Sequence, residues 1–368
     1  MKAYPLQSIT LEQATKLQFK LVDAITRNLS GNEVLTQGDL GVNPLRNQPL
    51  MTGKIEKVLA DFFGVEDACL VLGSGTGAIR DGLHSMIEGS RQILIHDAPV
   101  YSTTQSTFDQ LNMSTVVCDF NDPQAIKEAL IENDNLDLCL IQTTRQQLGD
   151  SYDLASVIQL LRSIKPEISI LTDDNYAAMK IEKIGAQCGA DLSCFSMFKL
   201  LGPEGVGCVI GKSKFISKIR KAHYSGGSQV QGHVALAALR GLIYAPVALA
   251  ISAQQVELIA NELNSGRVTG IEEAVIVNAQ SKVVLVKLNK PIAKHVLTAS
   301  HALGAAPYPV GAESKYEFVP MFYRVSGTMA TSDPEFENYW IRINPMRSGA
   351  ETVLRILEEA LKEAEECL

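Results

Sequence analysis

Lys199 ends an apolar run, Ser193-Cys194-Phe195-Ser196-Met197-Phe198-Lys199, and a turn rich in glycine and proline follows, Gly202-Pro203-Glu204-Gly205. A lysine there lies at the carboxyl edge of a sheet, where open α/β sheets bind ligands. Partial desolvation lowers an ammonium's pKa and frees the amine to attack an aldehyde. By itself the position also suits a lysine that lays its stem along apolar surface with its charge in water. Upstream, a second apolar run closes in Asp173-Asp174-Asn175-Tyr176. Two adjacent carboxylates suit a ligand that gains from negative charge, and the same letters also make an ordinary turn. A third run, Leu70-Val71-Leu72, leads into Gly73-Ser74-Gly75-Thr76-Gly77-Ala78. Glycines there let the backbone approach an anion, the first amides of the next helix point at it, and the Ser74 and Thr76 hydroxyls add donors. A phosphate is the natural guest. The run equally fits a dinucleotide fingerprint, with Asp97 after the next strand as the ribose-binding acid, or a methyltransferase-like turn.

Further candidates are spread along the chain. Arg342, in Tyr339-Trp340-Ile341-Arg342-Ile343-Asn344, can pair bidentately with a carboxylate or form a surface ion pair. Arg145 can hold a second carboxylate or the phosphate, or lie on the surface. Ser225-Gly226-Gly227-Ser228 offers amides and hydroxyls to a phosphate, or is a plain turn. Tyr101 and His96 are the aromatic groups that follow or close another apolar run.

The elements that must position these groups read as an α/β domain. Strands are predicted at 68–72, 92–96, 114–118, 136–141, 168–172, 192–198 and 207–210, with crossover helices such as 78–87 and 123–132 between the early ones. Their continuously apolar character is that of a mainly parallel sheet covered on both faces. A helix is predicted over 11–28, with Leu17, Phe19, Leu21, Val22 and Ile25 as its apolar positions. Beyond about residue 250 the pattern changes to helices near 250–264 and 292–303 and strands near 275–279, 283–288 and 339–343. A last helix follows Ser348, whose spacing to Glu351 predicts a capping box. The expected organisation is an N-terminal helix and arm over 1–45, a large domain over 46–250 and a smaller α+β domain over 251–368.

Composition narrows the function. The chain has 368 residues, 46% hydrophobic and 20% charged, with a formal net charge of −8. That balance argues against a protein that binds nucleic acid by neutralising phosphates. No 18-residue stretch is continuously apolar, so no membrane span is expected. The amino terminus carries no apolar segment or cleavage site marking secretion. The 7 cysteines form no Cys-x-x-Cys pair and sit mostly in apolar runs. A reducing cytoplasm and no metal site are expected.

Taken together and in order, four motifs resemble the fold-type I pyridoxal-phosphate family, the aspartate aminotransferase superfamily. Ser74-Gly75-Thr76-Gly77-Ala78 resembles its phosphate turn. Asp173-x-x-Tyr176 is similar to its Asp-x-x-Tyr. There the aspartate pairs with the pyridine nitrogen and the tyrosine reaches the ring hydroxyl. Ser196-x-x-Lys199 is similar to its Ser-x-x-Lys, with the serine on the phosphate and the lysine joined to the cofactor aldehyde. The segment around Arg342 resembles the late strand whose arginine holds the substrate α-carboxylate. The resemblance further implies an aromatic on the ring, Tyr101, with His96 competing. It implies that Ser225, Gly226 and Gly227 reach a neighbouring subunit's cofactor, hence a homodimer with shared sites. Over 171–176, 198–207, 224–229, 308–316 and 341–345 the chain resembles a bacterial group described as class V-type aminotransferase-like. Two features depart from the superfamily: no Arg or Lys follows Lys199 before Lys212, and an Asn-Pro-x-Gly motif is missing. The resemblance implies pyridoxal 5'-phosphate and an amino-acid substrate, with transamination first. The alternatives are elimination or replacement at Cβ or Cγ, sulfur-amino-acid chemistry, or racemisation. From another class, a nucleotide-cofactor enzyme built on 73–78 and Asp97 remains the rival.

Overall fold

The computed structural model describes residues 2–44, 47–144, 147–279, 281–311, 313–325 and 335–366. Arg145 lies outside them. The chain divides into two compact units. One comprises residues 12–144 and 151–246. The other comprises, among the described residues, 2–11, 147–150 and the chain from 247 onward.

The first unit carries α1 (Leu11–Asn28), α2 (Leu50–Phe63), β1 (Asp67–Leu72), α3 (Ser74–Met86), β2 (Gln92–His96), α4 (Ser102–Gln110) and β3 (Ser114–Cys118). It continues through α5 (Pro123–Glu132), β4 (Leu136–Gln142), α6 (Leu154–Ile164), β5 (Ser169–Asp173), β6 (Leu192–Ser196), β7 (Val206–Gly211) and α7 (Ser213–Ala222). Its seven strands form one sheet in the order β1-β7-β6-β5-β4-β2-β3. Every pair is parallel except the two that involve β7. Flanked by two antiparallel contacts, β7 is the one reversed strand. β1, β2, β4, β5 and β6 therefore all end on the same edge, and that edge is where loops can assemble a site.

Alternate side chains along each strand supply the two faces. Leu138, Leu140, Ile93 and Ile95 pack with Ile79 and Leu83 of α3 and Phe215 of α7. Cys139, Ile141 and Leu94 pack with Ile126 and Leu130 of α5 and with Val157, Ile158 and Leu161 of α6. Burial on both faces is why the strand runs carry no polar alternation. In α1 the apolar pattern is divided: Leu21 and Ile25 are buried, but Phe19 and Val22 are exposed.

α8 (Gly232–Asn264) is long and apolar enough to cross a membrane by composition, yet half of its most apolar window is buried within the protein. It serves as a core helix. The second unit builds a four-stranded antiparallel sheet, in the order β10 (Met321–Arg324), β11 (Trp340–Asn344), β9 (Ser281–Leu288), β8 (Ile271–Ala279). One face, with Phe322, Ile341 and Ile343, packs against residues of α9 (Ala293–Ala302) and the last helix, Ala350–Glu366. A short helix, α10 (Phe336–Tyr339), precedes β11, which makes the last helix α11. The capping box expected at Ser348 does not form. The Ser348 hydroxyl donates to Pro345 O, and the first helical amide, Ala350 N, donates to Gln255 Oε1 at 2.8 Å.

Candidate active site

Three strand ends of the first unit bring the predicted groups together. β5 ends on Asp173 and β6 ends on Ser196. The strand predicted to run to 198 stops two residues early, and Lys199 lies in a 3-10 turn, Phe198–Leu200. Met197 O accepts from both Leu200 N (3.0 Å) and Gly202 N (2.9 Å), and Leu201 takes a left-handed conformation, φ 62°. The turn delivers the Lys199 Nζ to 3.8 Å from the centroid of the Tyr176 ring. Tyr176 itself has φ 64°, a strained conformation for a residue with a bulky side chain. Such strain gathers at sites where the surroundings over-determine it.

Asp173 is half-buried. Its Oδ1 accepts from Asn175 N at 3.0 Å and from Asn175 Nδ2 at 2.7 Å. Burial pushes its carboxyl above the ordinary aspartate range, while the Lys199 ammonium and the Asn175 donors pull the other way. Asp174 has a different task. Fully buried, it accepts from Thr143 Oγ1 and Thr172 Oγ1, each at 2.6 Å, within the sheet's interior. The Lys199 charge is a main influence on Asp173, whereas hydroxyl and amide donors hold Asp174.

The glycine run begins α3 rather than preceding it. Gly73 is the cap, with φ 98°, and the helix starts at Ser74. Gly73 N and Ser74 N donate to Gly205 O at 2.8 and 3.1 Å, and Gly77 N donates to Gly73 O at 2.8 Å. Among the described residues the amides of Gly75 and Thr76 have no acceptor, as expected in a helix's first turn. They are the donors available to an anion. The cradle tolerates no larger residues: a Cβ on Gly75 would lie 2.5 Å from the Asn175 amide atoms, and one on Gly77 would lie 2.0 Å from Leu72 O. Thr76 Oγ1 donates to Thr103 Oγ1 at 3.0 Å.

Asn175 links these parts. Its Nδ2 holds Asp173, its Oδ1 accepts from Ser196 N at 3.0 Å, and Gly75 lies against both atoms. Neither Asn175 nor Thr103 is singled out by sequence reasoning. An asparagine beside two aspartates reads as a turn former, and a threonine in Ser102-Thr103-Thr104 carries no spacing signal.

The remaining candidates separate. Tyr101 caps α4 with an exposed ring, its carbonyl accepting from Thr104 N and Gln105 N. His96 is buried, its Nδ1 accepting from Phe120 N at 3.0 Å, and its ring meets those of Phe120 and Tyr152. That makes it part of the core. Asp97 is exposed. Ser225, Gly226 and Gly227 lie at a second short 3-10 turn, Gly226–Ser228, and make no hydrogen bond to the groups around Lys199. The flanking Tyr224 and Gln229 line a separate cavity of about 220 Å³ with Glu56 and Arg220. In the second unit, Arg342 projects from β11 on the face opposite Ile341 and Ile343. Its Nε donates to Arg324 O at 2.8 Å and its guanidinium lies 4.1 Å from the Tyr323 ring centroid.

An anion cradle, an amine over an aromatic ring and a carboxylate near that amine thus share one sheet edge. Comparison with known proteins identifies the architecture. Residues 50–239 match the class-V aminotransferase family, and residues 257–357 match a domain described as YhfS-like, C-terminal. The chain is 51% identical over 361 residues to the uncharacterized protein YhfS of Escherichia coli strain K12, covering 98% of this chain and 99% of that one. A crystal structure described as the pyridoxal-5'-phosphate-dependent protein YhfS from Escherichia coli superposes with a TM-score of 0.96 over the same shares. A cystathionine gamma synthase from Xanthomonas oryzae pv. oryzae and a yeast cystathionine gamma-lyase share the fold at 16% identity. Each has a TM-score of 0.72, with coverages of 96% and 95% of this chain and 99% and 98% of theirs. The dinucleotide alternative gives way to this architecture, and the chain belongs to the class-V aminotransferase family, of pyridoxal-phosphate-dependent fold type I, in a form whose C-terminal domain is YhfS-like.

Proposed function

We propose that this protein is a pyridoxal-phosphate enzyme that acts on an amino acid, with transamination as its reaction. The observation that carries the reading is the convergence of Lys199, Tyr176 and Asp173 at one sheet edge, beside the α3 amides. The residues fit the cofactor. Small cradle residues and unused amides suit a phosphate, a half-buried carboxylate suits a protonated ring nitrogen, and a half-buried lysine amine suits an aldehyde. When bound, pyridoxal phosphate supplies an aldehyde that captures amines and a ring that accepts electron density from Cα.

Each residue has a defined task in this reading. Gly75 and Thr76, with the hydroxyls of Ser74 and Ser196, hold the phosphate. Asp173 keeps the ring nitrogen protonated, and Tyr176 lies against the ring substituents. Tyr101 covers the ring from the α4 side. Lys199 would hold the cofactor aldehyde, and its amine, once free, would carry a proton between Cα and the cofactor's imine carbon, both within reach of a side chain tethered there. Arg342 binds the α-carboxylate through a bidentate pair. Arg145 is a second candidate for an anionic group. Ser225, Gly226 and Gly227 serve the partner's cofactor in a homodimer.

The test is a half-reaction screen with single amino acids. The expected result is conversion of the cofactor to pyridoxamine phosphate with release of a keto acid. If no amino acid gives pyridoxamine phosphate, transamination is excluded. A second reading is elimination or replacement at Cβ or Cγ; the cation-free run between Lys199 and Lys212 departs from the pattern of several aminotransferases. That reading is recognised in the same screen by keto acid released with free ammonia.

A further inference from the structure

We propose that Asn175 is a positioning residue: it clamps Asp173 through one carboxylate oxygen so that the other is presented to a ring nitrogen. The inference rests on the cofactor reading above and extends it to a residue with no place in the four motifs. Among the described residues both hydrogen bonds to the Asp173 carboxylate come from Asn175, one from its amide N–H and one from its side chain, and both end on Oδ1. Oδ2 is engaged by neither. The side chain that donates is itself fixed. Its Oδ1 accepts from Ser196 N, its backbone carbonyl accepts from Thr144 Oγ1 at 3.2 Å, and Gly75 closes over its amide. Asn175 is buried. An amide held at both ends cannot swing, so Asp173 cannot rotate without breaking a bond in a site where replacement by water is restricted.

The same clamp sets which form of the carboxyl is favoured. Two N–H donors on one oxygen stabilise the ionised state. The charged and titratable groups that bear on Asp173 are Lys199 from the turn after β6 and the Cys194 thiol on β6, with Asp174 next in sequence. Of these only Lys199 also favours the carboxylate. If Lys199 gives up its charge on joining an aldehyde, Asn175 remains as the partner that holds Asp173 ionised. Gly75 is constrained for this reason as well as for the anion: a Cβ there would displace the clamp.

The experiment is the pH titration of the ring nitrogen in holoenzyme reconstituted with pyridoxal phosphate labelled with nitrogen-15 at that atom. Wild type is compared with Asn175→Ala and with Asn175→Leu, which keeps the shape of the side chain without its donor. Wild type should hold a protonated ring nitrogen at neutral and mildly alkaline pH. Both variants should lose that signal at lower pH, with the resonance moving towards that of neutral pyridine. Far-ultraviolet circular dichroism identifies the folded variants, and a result in either one suffices. A folded, cofactor-loaded variant that titrates like wild type overturns this inference and leaves the role of Asp173 standing. A wild-type protein whose ring nitrogen is unprotonated overturns both.

Discussion

Asp173 is held in a position that favours chemistry over stability. Burial raises its carboxyl despite Lys199 and Asn175, so the folded chain keeps that proton to higher pH than the unfolded chain does. Ionising it therefore opposes folding. The penalty is absent in acid, where both states are protonated, grows once pH passes the unfolded-state value and is complete above the folded-state value. Asp173→Asn removes the charge while its Oδ1 keeps both Asn175 donors. The apoprotein variant should melt higher than wild type at neutral pH, by roughly 2–4 °C for each kcal/mol relieved. The gain should vanish as pH falls through the ordinary carboxylate range. Calorimetry at several pH values checks this, and an unchanged or lower melting temperature at neutral pH counts against it. The same variant should lose turnover, as expected where a strained site trades stability for activity. Lys199 has no such alternative. Lys199→Ala should lower turnover by roughly 10²–10⁴-fold, the usual contribution of a positioned proton carrier. It should also release cofactor on dialysis, read from the visible spectrum.

At the scale of elements, an ion network fixes the sheet's edge. Glu56 of α2 is 3% exposed, yet it is ionisable. Its Oε1 accepts from Leu70 N at 2.9 Å on the edge strand β1, and its Oε2 accepts from Arg220 of α7 at 3.1 Å. Arg220 also forms a two-pronged pair with Asp67 at 2.5 and 2.7 Å and donates to Ala68 O at 2.6 Å. Burial pushes the Glu56 carboxyl up, and Arg220 opposes it. Arg220→Met would strand that carboxylate in the interior and is expected to destabilise by about 3–5 kcal/mol. Combining it with Glu56→Gln should recover part of the loss, because the two groups are directly coupled. Denaturant midpoints at constant slope test both statements. The sequence reveals the strands of this sheet better than its helices. Strands covered on both faces are uninterrupted apolar runs and are visible as such, while the edge strand β3, with Ser114, Thr115 and Val117 exposed, is marked by its β-branched residues. By contrast, α4 begins Ser102-Thr103-Thr104-Gln105-Ser106-Thr107, residues of modest helix propensity, and depends on Phe108 packing into the core. The first unit's site motifs are legible for a related reason: each lies at the end of a strand or in the turn that follows it. Asn175 is not, since its role lies in a long-range bond from Ser196 and close packing against Gly75, which no local spacing encodes.

At the scale of the whole molecule, the first unit exposes several large apolar side chains. Leu35 and Leu40 are 80% and 79% exposed, and Phe19, Tyr224 and Tyr244 are also exposed. Between α1 and α8 an open apolar cavity of about 460 Å³ is lined by Val22, Ile25, Leu29, Leu236, Leu239 and Ile243. An open apolar cavity of this kind suits an interaction site. It belongs to the unit that also holds the exposed Ser225-Gly226-Gly227 turn, which has no contact with the groups around Lys199. The proposed homodimer would account for both features. Sedimentation equilibrium should give twice the 39.9 kDa of one chain. Leu35→Glu with Leu40→Glu should weaken association, each leucine contributing about 1.5–3 kcal/mol if it becomes fully buried. The decisive measurement couples assembly to the cofactor. If Ser225–Gly227 reaches the partner's phosphate, dilution through the dimer's dissociation range should release pyridoxal phosphate in step with the fall in mass. A monomer that retains cofactor at every concentration would show that the α3 amides, Ser196 and Lys199 hold it alone.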